Sequence, residues 1–169
     1  MRRRTAAIIV MAAAAWCLLP SGAFADAGDV AKIRALEARF TAAFNAKDLN
    51  AVMKVYMPGK PLFVFDLVPP RQYVGAAAYR KDWEDFFAMF KGPLKFSISE
   101  LAITAGRTLA FSHSVQHVAG TDANGKPIDI TARVTDGYRK IGGRWLIVHE
   151  HVSVPVDLAT GKPDLMSKP

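Results

Sequence analysis

One carboxylate stands inside an apolar stretch of this sequence. Asp66 lies in the run 62–68, whose other six residues are Leu, Phe and Val. Because an apolar setting disfavours the ionised form, the pKa of such a carboxyl rises toward values that suit proton transfer. Asp66 is therefore predicted to be a general base or acid at the floor of a pocket. The local pattern fits equally well an aspartate at a strand end that caps the turn at Pro69-Pro70.

Arg133 is the second residue whose chemistry could matter. It alternates with Thr131 and Thr135 along a predicted strand, so these three side chains share one face. If that face is concave, Arg133 would present a fixed guanidinium to a carboxylate or enolate ligand. If the face is convex, Arg133 is an ordinary solvated charge.

The four histidines fall into two pairs. His113 and His117 share a face of one predicted strand, and His149 and His151 share a face of the last strand. Two such pairs could hold a divalent metal, yet no supporting motif such as His-Glu-x-x-His is present. We therefore predict no metal and no other cofactor. One pair is expected to line the cavity and the other to lie in a subunit contact.

Several reaction classes lack their residues in this sequence. It has no Gly-x-Ser-x-Gly motif and no phosphate-binding glycine loop, and Cys17 is the one cysteine. A net charge of +7 and a pI near 9.7 would suit nucleic-acid binding, but Lys and Arg are scattered along the chain. The sequence therefore predicts a small-molecule ligand or substrate and no nucleic-acid partner.

The N-terminus has the features of a secretory signal peptide. Arginines at positions 2–4 precede an apolar run at 6–19, and an Ala-Phe-Ala site follows at 23–25. We expect cleavage after residue 25, a mature chain that begins at Asp26, a periplasmic location and no membrane contact afterwards. Loss of the three arginines leaves 19 basic residues against 15 acidic ones, a net charge of +4.

Apolar residues at helical spacing predict three helices before the main strands. The first has Asp29 as its N-cap and runs to Phe44, the second is capped by Asp48, and the third begins at Gly75. A short buried strand at 62–67 lies between the second and third helices.

After the third helix the apolar period changes to two. Strands are predicted at 96–105, 109–120, 128–140 and 144–155, joined by short links that contain glycine. Such links form hairpins, so the strands are expected to make an antiparallel meander. The predicted order is α-α-β-α-β-β-β-β. This is an α+β domain over residues 26–157, with helices on one face of a curved sheet and a flexible tail at 158–169.

Parts of the chain resemble SnoaL-like proteins of the nuclear-transport-factor-two-like superfamily, which also includes ketosteroid isomerases. Residues 133–140 and 143–155 are similar to their C-terminal hairpin, and segments 45–49 and 65–75 fit the same family. The resemblance implies a cone-shaped fold in which three helices pack into a strongly bent antiparallel sheet, with a pocket at the open end. It also implies a homodimer formed through the convex sheet face.

The resemblance suggests roles for single residues. Asp66 stands where ketosteroid isomerases have their general-base aspartate, Tyr56 matches a pocket tyrosine, and Trp83 matches another aromatic residue. Two matches fail: Phe40 replaces the oxyanion-hole tyrosine and cannot donate, and Thr135 stands at the place of a protonated aspartic acid. Because an oxyanion hole contributes much of the transition-state stabilisation, steroid isomerisation itself is not expected.

The last strand separates Glu150 from its two histidines. In the family alignment Glu150 lies on the pocket face with Val148 and Val152, as a ligand-binding residue, and His149 and His151 lie on the convex side. His113 and His117 are therefore the pair that is expected to line the cavity and bind the ligand.

Two functions fit these patterns. One is an isomerase- or cyclase-like enzyme that transfers a proton through Asp66, with Arg133 as a substitute anion stabiliser. The other is a non-catalytic periplasmic binding module that holds a small apolar or carboxylate-bearing ligand with Arg133 and the aromatic residues. The fold hosts both kinds of protein, so fold alone does not choose between them.

Overall fold

The structure is a computed structural model, and it describes residues 27–166. The predicted signal peptide at 1–25 lies outside these residues. No helix of the described part is long and apolar enough to cross a bilayer. In chain order the elements are α1 (Ala27–Asn45), α2 (Leu49–Met53), β1 (Phe63–Phe65), β2 (Tyr73–Val74), α3 (Ala76–Ala88), β3 (Phe90–Ala105), β4 (Leu109–Asp122), β5 (Pro127–Ile141) and β6 (Arg144–Ser153).

The strands form one curved, open sheet in the order β2-β1-β6-β5-β4-β3. From β3 to β6 each strand pairs antiparallel with the next, which confirms the predicted meander. β1 instead lies parallel to β6, and the two-residue strand β2, which the sequence did not indicate, pairs with β1. The α+β class, with N-terminal helices packed on a curved sheet, is confirmed.

Local chemistry sets the starts of α2 and α3. The Asp48 side chain accepts a hydrogen bond from Ala51 N at 2.9 Å and caps α2, as predicted. Gly75 precedes α3 with a φ of +87°, a conformation that glycine adopts without a side-chain clash.

Asp29 differs from its prediction, because α1 begins at Ala27 and Asp29 lies in the first turn rather than at the N-cap. Its carboxylate accepts hydrogen bonds from Lys140 Nζ at 2.8 Å and from Trp145 Nε1 at 3.1 Å. The bond from Lys140, followed by that from Trp145, lowers the pKa of Asp29 to about 2. These contacts join α1 to the β5–β6 hairpin.

An aromatic cluster fills the space between α1, α3 and the sheet. Phe44 of α1 stacks on Phe96 of β3 with ring centroids 4.1 Å apart, and it meets Trp83 of α3 edge-on at 5.4 Å. Phe40, one turn earlier in α1, makes edge contacts with the same two rings. The cluster packs both helices against the sheet and forms apolar walls for the cavity described below.

A β-bulge in β6 decides which of its side chains point inward. The pairing with β5 leaves Val148 without a partner in that strand. Before this residue Trp145 and Ile147 are buried, whereas after it Glu150 is buried. The predicted uninterrupted alternation, which put Val148 in line with Glu150, is wrong because the extra residue moves the inward positions from odd to even numbers.

Part of the tail predicted to be flexible folds back on the sheet. Asp164 N donates to Pro155 O at 2.8 Å, and Thr131 N of β5 donates to Leu165 O at 2.8 Å. These backbone bonds hold the segment up to residue 166 beside the end of β5.

Asn45 joins the end of α1 to β3. Its Nδ2 donates to Phe96 O at 3.1 Å, and its Oδ1 accepts from Phe96 N at 2.7 Å. Asn45→Ala removes both hydrogen bonds and leaves the N–H and C=O of Phe96 without this partner, so we expect the free energy of unfolding to fall by about 1–3 kcal/mol. Urea unfolding measures this change. Thr41→Ala is the control, because it removes only a hydroxyl bonded to Glu37 O within α1, and an equal loss in both variants would contradict the prediction.

Candidate functional site

A cavity of about 820 Å³ lies between α1, α3 and the inner face of the sheet. Pockets for small organic ligands commonly measure roughly 300–1,000 Å³, so this cavity suits a small molecule. Its walls are mostly apolar. The aromatic lining residues are Phe40, Phe44, Tyr73, Tyr79, Trp83, Phe86, Phe90 and Phe96.

Asp66 directly follows β1 and forms part of the cavity wall. It is half-buried, accepts a hydrogen bond from Leu67 N at 2.5 Å, and lies beside Asp82. Burial, together with the nearby charge of Glu150, raises the pKa of Asp66 from 3.8 to about 7. Asp66 therefore changes its protonation state near neutral pH.

Glu150 projects from β6 into the same cavity, and it is only 4% exposed. Tyr56 Oη donates to Glu150 Oε2 at 2.9 Å, and Tyr79 Oη donates to Oε1. Burial raises the pKa of Glu150 to about 7, although the hydrogen bonds from the two tyrosines act in the opposite direction. The tyrosines thus fix the orientation of a carboxyl that also titrates near neutral pH.

The acidic side chains form two close pairs. Asp136, 1% exposed, lies opposite Glu150 in the β5–β6 register, and its Oδ1 has no hydrogen-bond partner among residues 27–166. Asp66 lies beside Asp82, which accepts from Tyr73 Oη at 2.5 Å. Neighbouring carboxyl groups disfavour each other's ionisation. Burial is the main cause that raises the pKa of Asp136 and of Asp82.

A further buried acid lies behind this site. Glu37 of α1 accepts a hydrogen bond from Tyr138 Oη at 2.7 Å, and Ser112 Oγ lies 2.7 Å from the same hydroxyl. Burial raises the pKa of Glu37 to about 7 and that of Tyr138 well above 10. Acids from α1, β5 and β6 therefore form a polar layer inside the fold, next to the apolar cavity.

The sequence profile of the SnoaL-like domain family matches residues 33–157, which span almost the whole described fold. This chain belongs to the SnoaL-like domain family. The resemblance noted from the sequence is thereby confirmed. None of the curated proteins matches the sequence.

Solved structures share the fold of this SnoaL-like protein. An NTF2-like protein of unknown function from Pseudomonas putida KT2440 is 30% identical, with 85% of this chain and 99% of that chain covered and a TM-score of 0.76. A ketosteroid isomerase-like protein from Erwinia carotovora atroseptica is 21% identical, with 76% and 97% covered and a TM-score of 0.64. An NTF2-like superfamily protein from Salmonella enterica is 17% identical, with 82% and 100% covered and a TM-score of 0.68.

Four of the predicted site residues of this SnoaL-like protein meet at one cavity. Phe40, Asp66, Trp83 and Glu150 all line it. Tyr56 is buried and touches the site through its hydrogen bond to Glu150.

Arg133 and Thr135 are placed differently from their predictions. Both are exposed on the outer face of the sheet, because Ala132 and Val134, which alternate with them, point inward and are buried. Arg133 therefore meets no ligand in this cavity, and Thr135 does not stand where an inward acid is needed. The inward position beside Thr135 belongs to Asp136, one residue further along.

His113 and His117 also lie on the outer face, so the prediction that they line the cavity is wrong. Gln116 and Val118 line the cavity in this part of β4, and alternation turns the histidines outward. His117 Nε2 lies 2.7 Å from Asp129 Oδ1, and both side chains are solvent-exposed.

The second histidine pair shares the outer face with two phenylalanines of β1. The Phe65 ring centroid lies 5.7 Å from that of His149 and 5.5 Å from that of His151. The expectation that one histidine pair lines the cavity thus fails for both pairs. Within residues 27–166, no group of three or more acidic or histidine side chains could hold a metal ion.

Sequence reasoning missed Asp136, Tyr79 and Asp82 as site residues. The sequence does contain a pattern that indicates Asp136, because it alternates with Ala132 and Val134 on the same, apolar face of its strand. A pattern indicates Tyr79 too, since it lies on the apolar side of α3. No pattern indicates Asp82, because its pairing with Asp66 exists only in the folded chain.

Proposed function

We propose that this SnoaL-like protein is an enzyme that transfers protons on a small, largely apolar molecule, in an isomerase-like reaction with Asp66 as the base. The observation that carries the proposal is that Asp66 and Glu150 line one cavity, each with a pKa raised to about 7. A general base or acid is most effective when its pKa lies near the working pH.

The two carboxyls suit opposite roles in one reaction. The charge of Glu150 raises the pKa of Asp66, so simultaneous ionisation of both is disfavoured. With Asp66 ionised and Glu150 protonated, the cavity holds one base and one acid. Asp66 then accepts a proton from a carbon beside a carbonyl, and Glu150 donates its proton to the carbonyl oxygen. Asp66 then returns the first proton to a different carbon of the conjugated enol while the enol oxygen gives its proton back to Glu150, which completes an isomerisation and restores both carboxyl groups.

A donor for the substrate oxygen is also present. Phe40 cannot supply one, but Trp83 lines the cavity and its buried Nε1 has no hydrogen-bond partner among residues 27–166. A buried donor without a partner costs about 1–3 kcal/mol, and a substrate oxygen would remove that cost. Trp83 is therefore the donor that we assign to the substrate.

The test is carbon-bound hydrogen exchange. Purified protein is incubated in D₂O with a panel of cyclic and aryl ketones, and loss of the C–H signal beside the carbonyl is followed by NMR. Because Asp66 must be ionised and Glu150 protonated, we expect the exchange rate to rise with pH as Asp66 ionises, to reach a maximum near pH 7, and to fall at higher pH as Glu150 loses its proton. Exchange no faster than in buffer for the whole panel, or a rate independent of pH, would refute the proposal.

A non-catalytic binding module is the second candidate, favoured by Phe40 at the position where a catalytic tyrosine is needed. A carboxylate-bearing ligand for this module is not supported, because Arg133, the residue predicted to bind it, lies on the outer face. An apolar ligand that stabilises the protein thermally, with no exchange on any ketone, would favour this candidate.

We further propose export to the periplasm and cleavage before Asp26. The charged, apolar and small-residue sections of residues 1–25 support this proposal. N-terminal sequencing of the chain from the periplasmic fraction tests it. An uncleaved chain in the cytoplasmic fraction would contradict it.

A homodimer through the outer sheet face is also proposed. That face carries Leu109 and Phe111, which are 61% and 50% exposed, beside the histidine and phenylalanine side chains of β1 and β6. Sedimentation velocity at micromolar concentration tests the proposal, and a monomer would overturn it.

A further inference from the structure

Most of the charged side chains that line the cavity are acidic, although the chain as a whole is basic. Within the described residues, the acidic lining residues are Asp66, Asp82, Asp85, Asp122 and Glu150, and the one basic lining residue is Lys81. Lys81 is already paired with Asp85. Asp122 accepts two backbone hydrogen bonds within the β4–β5 turn. Asp66, Asp82 and Glu150 are therefore left without a basic partner in the described part of the chain.

The remaining wall suits an organic cation. Aromatic rings surround the acids, and the faces of Trp, Tyr and Phe attract ammonium groups. Trp83 belongs to this wall, is 7% exposed, and has an indole N–H with no partner in residues 27–166. This unpaired donor indicates, independently of the acids, that a polar ligand completes the cavity.

We propose that the cavity takes a protonated amine carried on an aromatic or alicyclic ring, with the ammonium group at Asp66 and Asp82. The proposal goes beyond the proposed function, because it names a ligand class that binds in the same cavity and occupies Asp66 in place of the ketone substrate. The aromatic walls receive the ring, and an oxygen on that ring would meet the Trp83 indole. Anionic ligands are excluded, because no unpaired cation of the lining faces them.

Binding of an ammonium group displaces a proton from the cavity. Asp66 and Asp82 are neighbours that both have a raised pKa, so the pair holds a proton near neutral pH, which an ammonium group can replace by donating to both carboxylates. The displaced proton goes to the buffer, so charge balances. A neutral alcohol of the same shape leaves that proton in place.

The pH dependence follows from the groups around Asp66. Asp82 faces it from α3 and Glu150 from β6, with Tyr73 of β2 and Tyr79 of α3 also coupled to it. Burial and the acidic neighbours raise the pKa of Asp66 to about 7. Below that pH the pair keeps its proton, which an ammonium group must displace before it can bind and a neutral ligand need not. Affinity for the amine is therefore expected to increase as the pH rises through about 7.

Three probes of matched shape test the proposal by calorimetry: 2-phenylethylamine, 2-phenylethanol and 3-phenylpropanoate. We expect the amine to bind about tenfold or more tightly than the alcohol, since charged hydrogen bonds are the stronger ones. The carboxylate should not bind. The apparent enthalpy for the amine should differ between phosphate and Tris buffers because a proton is released, whereas that for the alcohol should not.

Two variants test amine binding by affinity measurements that do not depend on the exchange reaction of the proposed function. Asp82→Asn keeps the side-chain shape and should bring the affinities for amine and alcohol close together, whereas Asp129→Asn on the outer face should leave their ratio unchanged. Equal affinity for amine and alcohol in the wild-type protein would overturn the inference. Because exchange is measured on neutral ketones, loss of amine preference leaves the exchange result intact, and absence of exchange leaves amine binding intact.

Discussion

Asp66→Asn is expected to slow ketone hydrogen exchange by about 10²–10⁴-fold, the usual contribution of a positioned general base. The amide has the shape of the carboxyl but cannot take up the proton. It can still accept the hydrogen bond from Leu67 N, so the end of β1 should keep its conformation. The rising, low-pH side of the rate profile should disappear together with the rate, because that side reports ionisation of Asp66.

The control for this prediction is Asp129→Asn. It makes the same chemical change at a side chain that is half exposed on the outer face and paired with His117. Exchange by this variant should equal that of the wild-type protein, as measured by NMR in D₂O at several pH values. An Asp66→Asn protein that exchanges at the wild-type rate would show that another group removes the proton.

Phe44→Ala is expected to lower the free energy of unfolding by about 3–5 kcal/mol. Phe44 is 4% exposed, stacks on Phe96, and makes edge contacts with Phe40 and Trp83. Its removal takes away buried apolar area and leaves space at the junction of α1, α3 and β3, which the surrounding rings can fill only in part.

Leu158→Ala is the control for the core. This side chain is 95% exposed, so its loss should change the free energy of unfolding by less than about 1 kcal/mol. Urea unfolding followed by tryptophan fluorescence compares the two variants with the wild-type protein. Similar losses in both would mean that the aromatic cluster contributes less to stability than its packing indicates.

Much of the fold follows from local patterns. Alternating apolar residues and short glycine links are enough to predict the antiparallel order of β3 to β6. Asp48 and Gly75 mark the starts of α2 and α3 because capping depends only on neighbouring residues. The parallel contact of β1 with β6 could not be predicted in this way, since its partners lie more than eighty residues apart in the chain.

The largest errors in the predicted site are assignments to the wrong face of a strand, each caused by a shift of one residue. Arg133 and Thr135 were assigned to the pocket, yet Asp136 holds the inward position. In β6 the bulge at Val148 changes the inward set from odd to even numbers. A pleated strand turns successive side chains to opposite faces, so one residue of register reverses the assignment of charge and apolar surface.

By itself the sequence determined the α+β class and the family, and its apolar run singled out Asp66, which the structure brings to the cavity wall. Only the tertiary structure decided that Asp82 and Glu150 surround that carboxyl and that Arg133 does not. The type of a side chain determines whether it can bind a proton. Its burial and the neighbouring charges determine its pKa, and therefore the pH range in which the proton is bound. Those neighbours come from β1, α3, β5 and β6, which are brought together only when the sheet curves around the helices.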